Sequence, residues 1–425
     1  MKILYFNYLW DLWGASLGST IKPLELFRAL EKRGHRVTIR WMKPQPQGNG
    51  SSQGVPGLKA RLKPFLSRYV HDPKLFAENA LYFPREMKAI RQVQPDVVVA
   101  RLDLYLASAL AAARLAGLPF VLEADCPSLL EAELFQPQYL RIRALARWLE
   151  KVNFHRADAV VTVSNTLKRY ILSYGVDPAR VTVVSNGADP AKFESVAPSG
   201  VRARLGWADN VTIGFVGSFN VWHGLDHLTS LIRRVIRREP RARFLLVGGG
   251  GVPKDLFEEH LSEKGLSKFV HLVGVVPFAE VPGYVAEMDI VIAPYPRLPV
   301  FYFSPVKIFE YMAAGKAIVT TRIGQIAEYL EDGKDAILCE PDDLEAMTAA
   351  VARLASDSDL RRRLGQAARR KLLRHHTWDH KAAEWEAVLE RAVRSRQGER
   401  NVPEGSASAV PARGVSAEQA TSLRA

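Results

Sequence analysis

Twice along the chain, short runs of β-branched and aromatic residues alternate with helical stretches, and the alternation stops and restarts near residue 200. The first series reads MKILYFN, RVTIRW, DVVVA, PFVLEA, AVVTVS and VTVVSNG; the second reads VTIGFVGS, RFLLVGGG, VHLVGV, DIVIAPY, AIVTT and AILCE. Short apolar strands separated by helices, such as those expected over 19–32 and 104–116, predict parallel sheets covered on both faces. The fold class is therefore α/β, with two Rossmann-like, doubly wound domains facing a central cleft where ligands bind beyond the strands' C-terminal ends. A length of 425 residues, 48% of them hydrophobic and 24% charged, suffices for two domains. The expected boundaries are 1–190 and 201–376, joined by a linker over 190–200. Residues 395–425, rich in Gly, Pro, Ser and Ala with almost no large apolar side chain, read as disordered.

Several classes of protein are disfavoured. The most apolar stretch, YLASALAAARLAGLPFVL, is interrupted by Arg114 and a Gly-Pro break, so no transmembrane helix is expected. MKILYFNYLWDLWG opens as a strand rather than as a signal peptide, and a cytoplasmic location is expected. Cys126 and Cys339 are far apart and lack metal-ligand spacing, which disfavours a zinc site or a disulfide framework.

The segment 303–320, FSPVKIFEYMAAGKAIVT, carries the densest chemistry. Ser304-Pro305 reads as a helix start, with serine capping the first amides and proline at the first helical position. The amides of Val306 and Lys307 are then free for a ligand, and a helix N-terminus with a lysine attracts phosphate. Glu310 falls on the same face as Lys307, where its carboxylate can accept hydrogen bonds from a sugar's hydroxyl pair. A capped amphipathic helix with two exposed charges accounts for the same residues equally well.

The segment resembles the donor-site signature of retaining glycosyltransferases of family 4, which have the GT-B fold, in the variant SPxKxFEYMAxGK. The usual form carries two glutamates, at the positions of Tyr302 and Glu310 here, and only Glu310 is retained. The resemblance implies a nucleotide-diphosphate sugar as donor, a glycan or lipid-linked acceptor and a place in cell-envelope or exopolysaccharide synthesis. It assigns Lys307 and the Val306 and Lys307 amides to the leaving diphosphate and Glu310 to the ribose. The transferred sugar would be held mainly by amides around Phe303 and Ser304, with Tyr302 beside them. Asp125, after PFVLEA, stands where many members have histidine facing the reacting sugar. Gly14, in the small-residue loop after the first strand, and Gly217 and Ser218, in GFVGSFNVWHG, would approach the ligand. His223 stands where common members carry a phosphate-binding lysine. Val276, Glu280 and Val281 match the part that holds the base. In GT-B proteins the last helices, 359–394 here, return to brace the first domain, the terminal one over about 377–394. Two other readings remain open: a GT-B nucleotide-sugar epimerase, and a non-catalytic binding subunit favoured by the missing glutamate.

No metal is expected to be required, because amides and Lys307 meet the diphosphate charge. The single Asp-x-Asp string, Asp357-Ser358-Asp359, lies at a helix start, where capping explains it. The formal charge of +13 comes without a nucleic-acid-binding motif. An anionic membrane fits it better. Residues 57–69 set Leu58, Leu62, Phe65, Leu66 and Tyr69 at helical spacing against Lys59, Arg61, Lys63 and Arg68, although Pro64 argues against one continuous helix. RIRALARWLEKVNFHR, from Arg141, is a second basic amphipathic stretch.

Overall fold

The computed structural model describes residues 1–10, 18–43, 58–219, 224–250 and 254–401, with only the backbone described at 9–10, 18–20, 58–69, 254 and 398–401. Strands β1 (Lys2–Trp10), β2 (Arg36–Lys43), β3 (Val97–Arg101), β4 (Phe120–Ala124), β5 (Ala159–Thr162) and β6 (Val181–Val183) form a parallel sheet in the order β2-β1-β3-β4-β5-β6. Strands β7 (Val211–Val216), β8 (Ala242–Val247), β9 (Val270–Gly274), β10 (Ile290–Ala293), β11 (Ala317–Thr321) and β12 (Ile337–Cys339) form a second parallel sheet, ordered β12-β11-β10-β7-β8-β9. β3, β4, β5, β7, β10 and β11 are buried along nearly their whole length, as expected of strands covered by helices on both faces. The chain therefore has the two-domain, doubly wound architecture of the GT-B fold. Strand order reverses between β1 and β3 in one sheet and between β7 and β10 in the other, and crevices open at such points.

The chain crosses between the domains twice, side by side. The amide of Ala188 donates to His376 O at 3.2 Å and that of Trp378 to Ala188 O at 3.2 Å. Gly187 permits this approach, since a β-carbon there would lie 2.6 Å from His376 O. The helix Trp378–Asn401 then lies on the first sheet, packing Trp385, Val388 and Leu389 against Tyr5, Val99 and Val121. Glu386 on this helix accepts from Arg33 Nε and meets His35 Nε2, each at 2.8 Å.

The structure departs from expectation at several places. The helix anticipated over 104–116 begins only at Ser108, because Tyr105 adopts a positive φ of 64° and turns the chain. The last helices, expected over 359–394 with the terminal one from about 377, are Ser358–His375 and Trp378–Asn401, and the break between them lies where the chain crosses between domains. Helix also continues through 395–401, within the segment read as disordered, while 402–425 lie outside the described residues. Pro64 does not interrupt the helix Leu58–Val93; the side chains of Lys59, Arg61, Lys63 and Arg68 on it lie outside the described residues. Asp357 caps its helix, accepting from the amide of Leu360 at 2.8 Å.

Candidate active site

A cavity of about 650 Å³ lies between the two strand-order reversals. The first domain supplies its wall from the ends of β1, β3 and β4, and the second from the β7 turn and the segment leading into the helix Val306–Ala313.

On the second domain's side, β7 is followed at once by Gly217, whose φ of 143° favours glycine and where a β-carbon would collide with the Lys307 ammonium. The Val306–Ala313 helix is fixed to β7 because the amide of Val216 donates to the Tyr311 hydroxyl at 2.8 Å. Lys307 thus stands below the turn, 8% exposed, with Nζ 4.1 Å from the centre of the Phe215 ring and without a hydrogen-bond partner among the described residues. Burial lowers its pKa to about 7 against the opposing pull of Glu310. Glu310 is 6% exposed; burial raises it to about 7, with Lys307 opposing, Glu25 adding and Lys192 opposing. The two face into the cavity with the first-turn amides of Val306 and Lys307, which have no partner inside a helix. A lone buried ammonium beside open amides is prepared for an anion, whose charge would restore the lysine's proton.

Ser304 does not cap this helix. Pro305 occupies the cap position, and the serine hydroxyl instead accepts from the amide of Asn186 at 3.0 Å. Asn186 Nδ2 donates to Ser304 O at 2.6 Å, and Ser164 Oγ donates to Tyr302 O at 2.7 Å. The Tyr302 ring, 2% exposed, packs into the apolar core of the first domain although it follows β10 of the second. Burial raises its phenol well above the usual value, and the neighbouring Glu131 carboxylate raises it further.

The first domain's wall is built on paired charges. Lys22 lies between Glu123, at 2.8 Å, and Asp125, and Arg101 meets Asp125 at 3.1 Å. Tyr5 donates to Glu123 from below. Burial disfavours the Asp125 carboxylate, but Lys22 and Arg101 outweigh it and hold the pKa below the ordinary range. Further out, Tyr8 donates to Glu86 at 2.5 Å and Lys43 pairs with Asp103 at 2.7 Å.

Of the residues singled out from sequence, Asp125, Gly217, Ser218, Tyr302, Phe303, Ser304, Val306, Lys307 and Glu310 line this one cavity. Val276 and Val281 instead pack in the second domain's core, and Glu280 is exposed before the helix Val281–Ala286. Gly14 and His223 lie outside the described residues. Sequence reasoning missed Lys22, Arg101 and Glu131. Lys22 had a signal, since a lysine shares the buried stripe of its helix with Ile21, Leu26 and Leu30. Arg101 had another: it ends an all-apolar strand. Glu131, in SLLEAELF, had none.

Profiles of two families match the chain, one on each half. The family described as "Glycosyltransferase Family 4" covers residues 23–192, and "Glycosyl transferases group 1" covers 210–357. Together they assign the chain to the glycosyltransferases of family 4, with the GT-B fold. Sucrose-phosphate synthase from Thermosynechococcus elongatus superposes with a TM-score of 0.71 over 93% of this chain and 99% of that one, at 17% identity. HepE from Anabaena in complex with UDP-glucose gives 0.68 over 94% and 100%, also at 17% identity; both are likenesses of fold. Glycogen synthase from Mycobacterium tuberculosis is 25% identical over 61% of this chain and 59% of its own length. The chain spans about three fifths of the length of such curated relatives.

Proposed function

We propose that the protein is a retaining glycosyltransferase that moves a sugar from a nucleoside diphosphate to a glycan or lipid-linked acceptor. The observation that carries the reading is Lys307: a buried, unpartnered ammonium at a helix start, facing a cavity walled by two Rossmann-like domains. Lys307 and the Val306 and Lys307 amides take up charge as it develops on the departing diphosphate, and their fixed positions make this stabilisation effective. Glu310 orients the ribose. The Asp125 carboxylate, already shared between two cations, contributes a fixed charge beside the sugar rather than a proton acceptor. Closure of the cleft excludes the water that would hydrolyse the donor. UDP-glucose in the similar HepE fold supports a nucleotide-sugar donor.

Metal-independent action fits the site, because Lys307 and the amides offer the diphosphate a positive environment of their own. Among the described residues no group of three His, Cys, Asp or Glu is placed to hold a metal ion. Peripheral contact with an anionic membrane, as suits a lipid-linked acceptor and a place in envelope synthesis, is supported by the helix Arg143–Arg156. Trp148 is 58% exposed there among exposed Arg143, Arg147 and Lys151. No described helix is long and apolar enough to cross a membrane.

The test is thermal stabilisation of the purified protein by a panel of nucleotide sugars, followed by transfer or donor hydrolysis with and without EDTA. Turnover unaffected by chelation, with the anomeric configuration kept, is expected. Inversion of the anomer, or binding without any turnover, overturns the reading.

A further inference from the structure

One carboxylate on the cavity wall has no part in the assignments above. Glu131 sits in the first turn of the helix Ser128–Phe135, half-buried and lining the cavity. The Tyr302 phenol and the Cys126 thiol share the cavity wall with it, and burial, then the nearby Glu131 charge, raises the pKa of each. Both are held in place: Tyr302 by Ser164 at its carbonyl and by the Phe303 ring at 4.2 Å between centroids, and Cys126 by Ser128 at 3.7 Å. The other carboxylates of this wall are spent on cations: Asp125 on Lys22 and Arg101, Asp103 on Lys43. Glu131 has no ion-pair partner among the described residues. A carboxylate has about four acceptor sites, so two neighbouring donors leave it capacity toward the cavity.

Tyr302 also leads directly, through Phe303 to Pro305, into the amides assigned to the diphosphate. A group beside its phenol therefore borders the space next to the phosphates, where the transferred sugar lies. We propose that Glu131, a residue of the first domain steadied by Tyr302 of the second, accepts hydrogen bonds from hydroxyls of the transferred sugar and so selects which sugar the cleft uses. A site built to pair with a hydroxyl discriminates strongly against sugars that lack it or present it elsewhere, because the carboxylate is then left unpaired. The proposal rests on the transferase reading. It adds that sugar choice depends on both domains being together, since neither alone supplies the carboxylate and the phenol that steadies it.

The experiment measures turnover of UDP-glucose, UDP-galactose, UDP-N-acetylglucosamine and GDP-mannose by the full chain, its Glu131→Gln and Glu131→Ala variants and Tyr302→Phe. Inhibition by UDP and GDP is measured alongside. For the best donor, Glu131→Gln is expected to lower kcat/KM about 10-fold or more, to compress the differences among sugars, and to leave inhibition by the free nucleoside diphosphate within about 2-fold. Tyr302→Phe, which keeps the carboxylate, is expected to lose less than Glu131→Gln. Unchanged sugar ranking in Glu131→Gln overturns the proposal and leaves the transferase reading intact, as does an equal loss of nucleoside diphosphate affinity. A parent that neither turns over a donor nor is inhibited by UDP or GDP overturns both. Unfolding midpoints of the variants identify a variant that has failed to fold; in that case the isosteric glutamine variant decides.

Discussion

The two walls of the cleft bury charge in opposite ways. On the first domain, Lys22, Glu123, Asp125 and Arg101 form a network in which each charge faces an opposite one within ion-pair distance. On the second, Lys307 and Glu310 are as deeply buried, yet Lys307 Nζ has no partner and burial drives both toward neutrality. Burying an ion is costly unless it is paired and hydrogen-bonded. The first arrangement holds a structure together, whereas the second carries an electrostatic cost that an anionic ligand would relieve.

The largest expected effect separates the walls by stability. Lys22→Met leaves two carboxylates with one cation, and chemical denaturation is expected to show a loss of about 3–5 kcal/mol. Lys307→Met removes a charge that lacks a partner, so the same measurement should give stability equal to or above the parent, while kcat/KM for the donor falls roughly 10- to 100-fold. Equal destabilisation by the two changes would erase the contrast.

The pH dependence sharpens it. Lys307 falls from 10.5 to about 7 on folding, so between those values the unfolded chain binds more protons and the contribution of Lys307 to stability rises with pH. Glu310 rises from 4.5 to about 7, so across that window the folded chain binds more protons and its contribution falls as pH rises. Together they contribute least stability near neutrality. Difference stability curves, parent minus variant, should show the alkaline limb for Lys307→Met and the acidic limb for Glu310→Gln; flat differences would mean that water reaches the pair. The smallest effect is in recognition. Glu310→Gln is expected to narrow the difference between inhibition by a nucleoside diphosphate and by its 2′-deoxy form by about 1 kcal/mol, one net hydrogen bond.

Much of this was legible in the chain itself. Alternating apolar runs announced two parallel sheets, because strands covered on both faces need no polar residues. The segment around Lys307 and Glu310 was legible because helix-start chemistry is local. Contacts between distant segments were not. Ser304 has the identity of a cap but is claimed by Asn186, and Tyr302 looks like a residue of the second domain but packs into the first. The paired network joins Lys22 and Arg101 to β4, pairings that sequence spacing does not encode.

The fastening of residues 302–304 also bears on how the cleft can open. Ser164 grips Tyr302, Asn186 grips Ser304, and nearby Gln325 Nε2 donates to Val163 O while Asn165 Nδ2 reaches Glu328 at 3.0 Å. A rotation that preserves these bonds has its axis along this seam, as a door turns on its hinge side. Displacement grows with distance from such an axis. The Val306 and Lys307 amides, directly beyond Pro305, would then keep nearly the same position relative to the first domain while more distant parts of the cleft swing apart. On the proposed reading, phosphates held by those amides would lie at the pivot, and the sweep of the motion would fall on the remainder of the donor and on the acceptor.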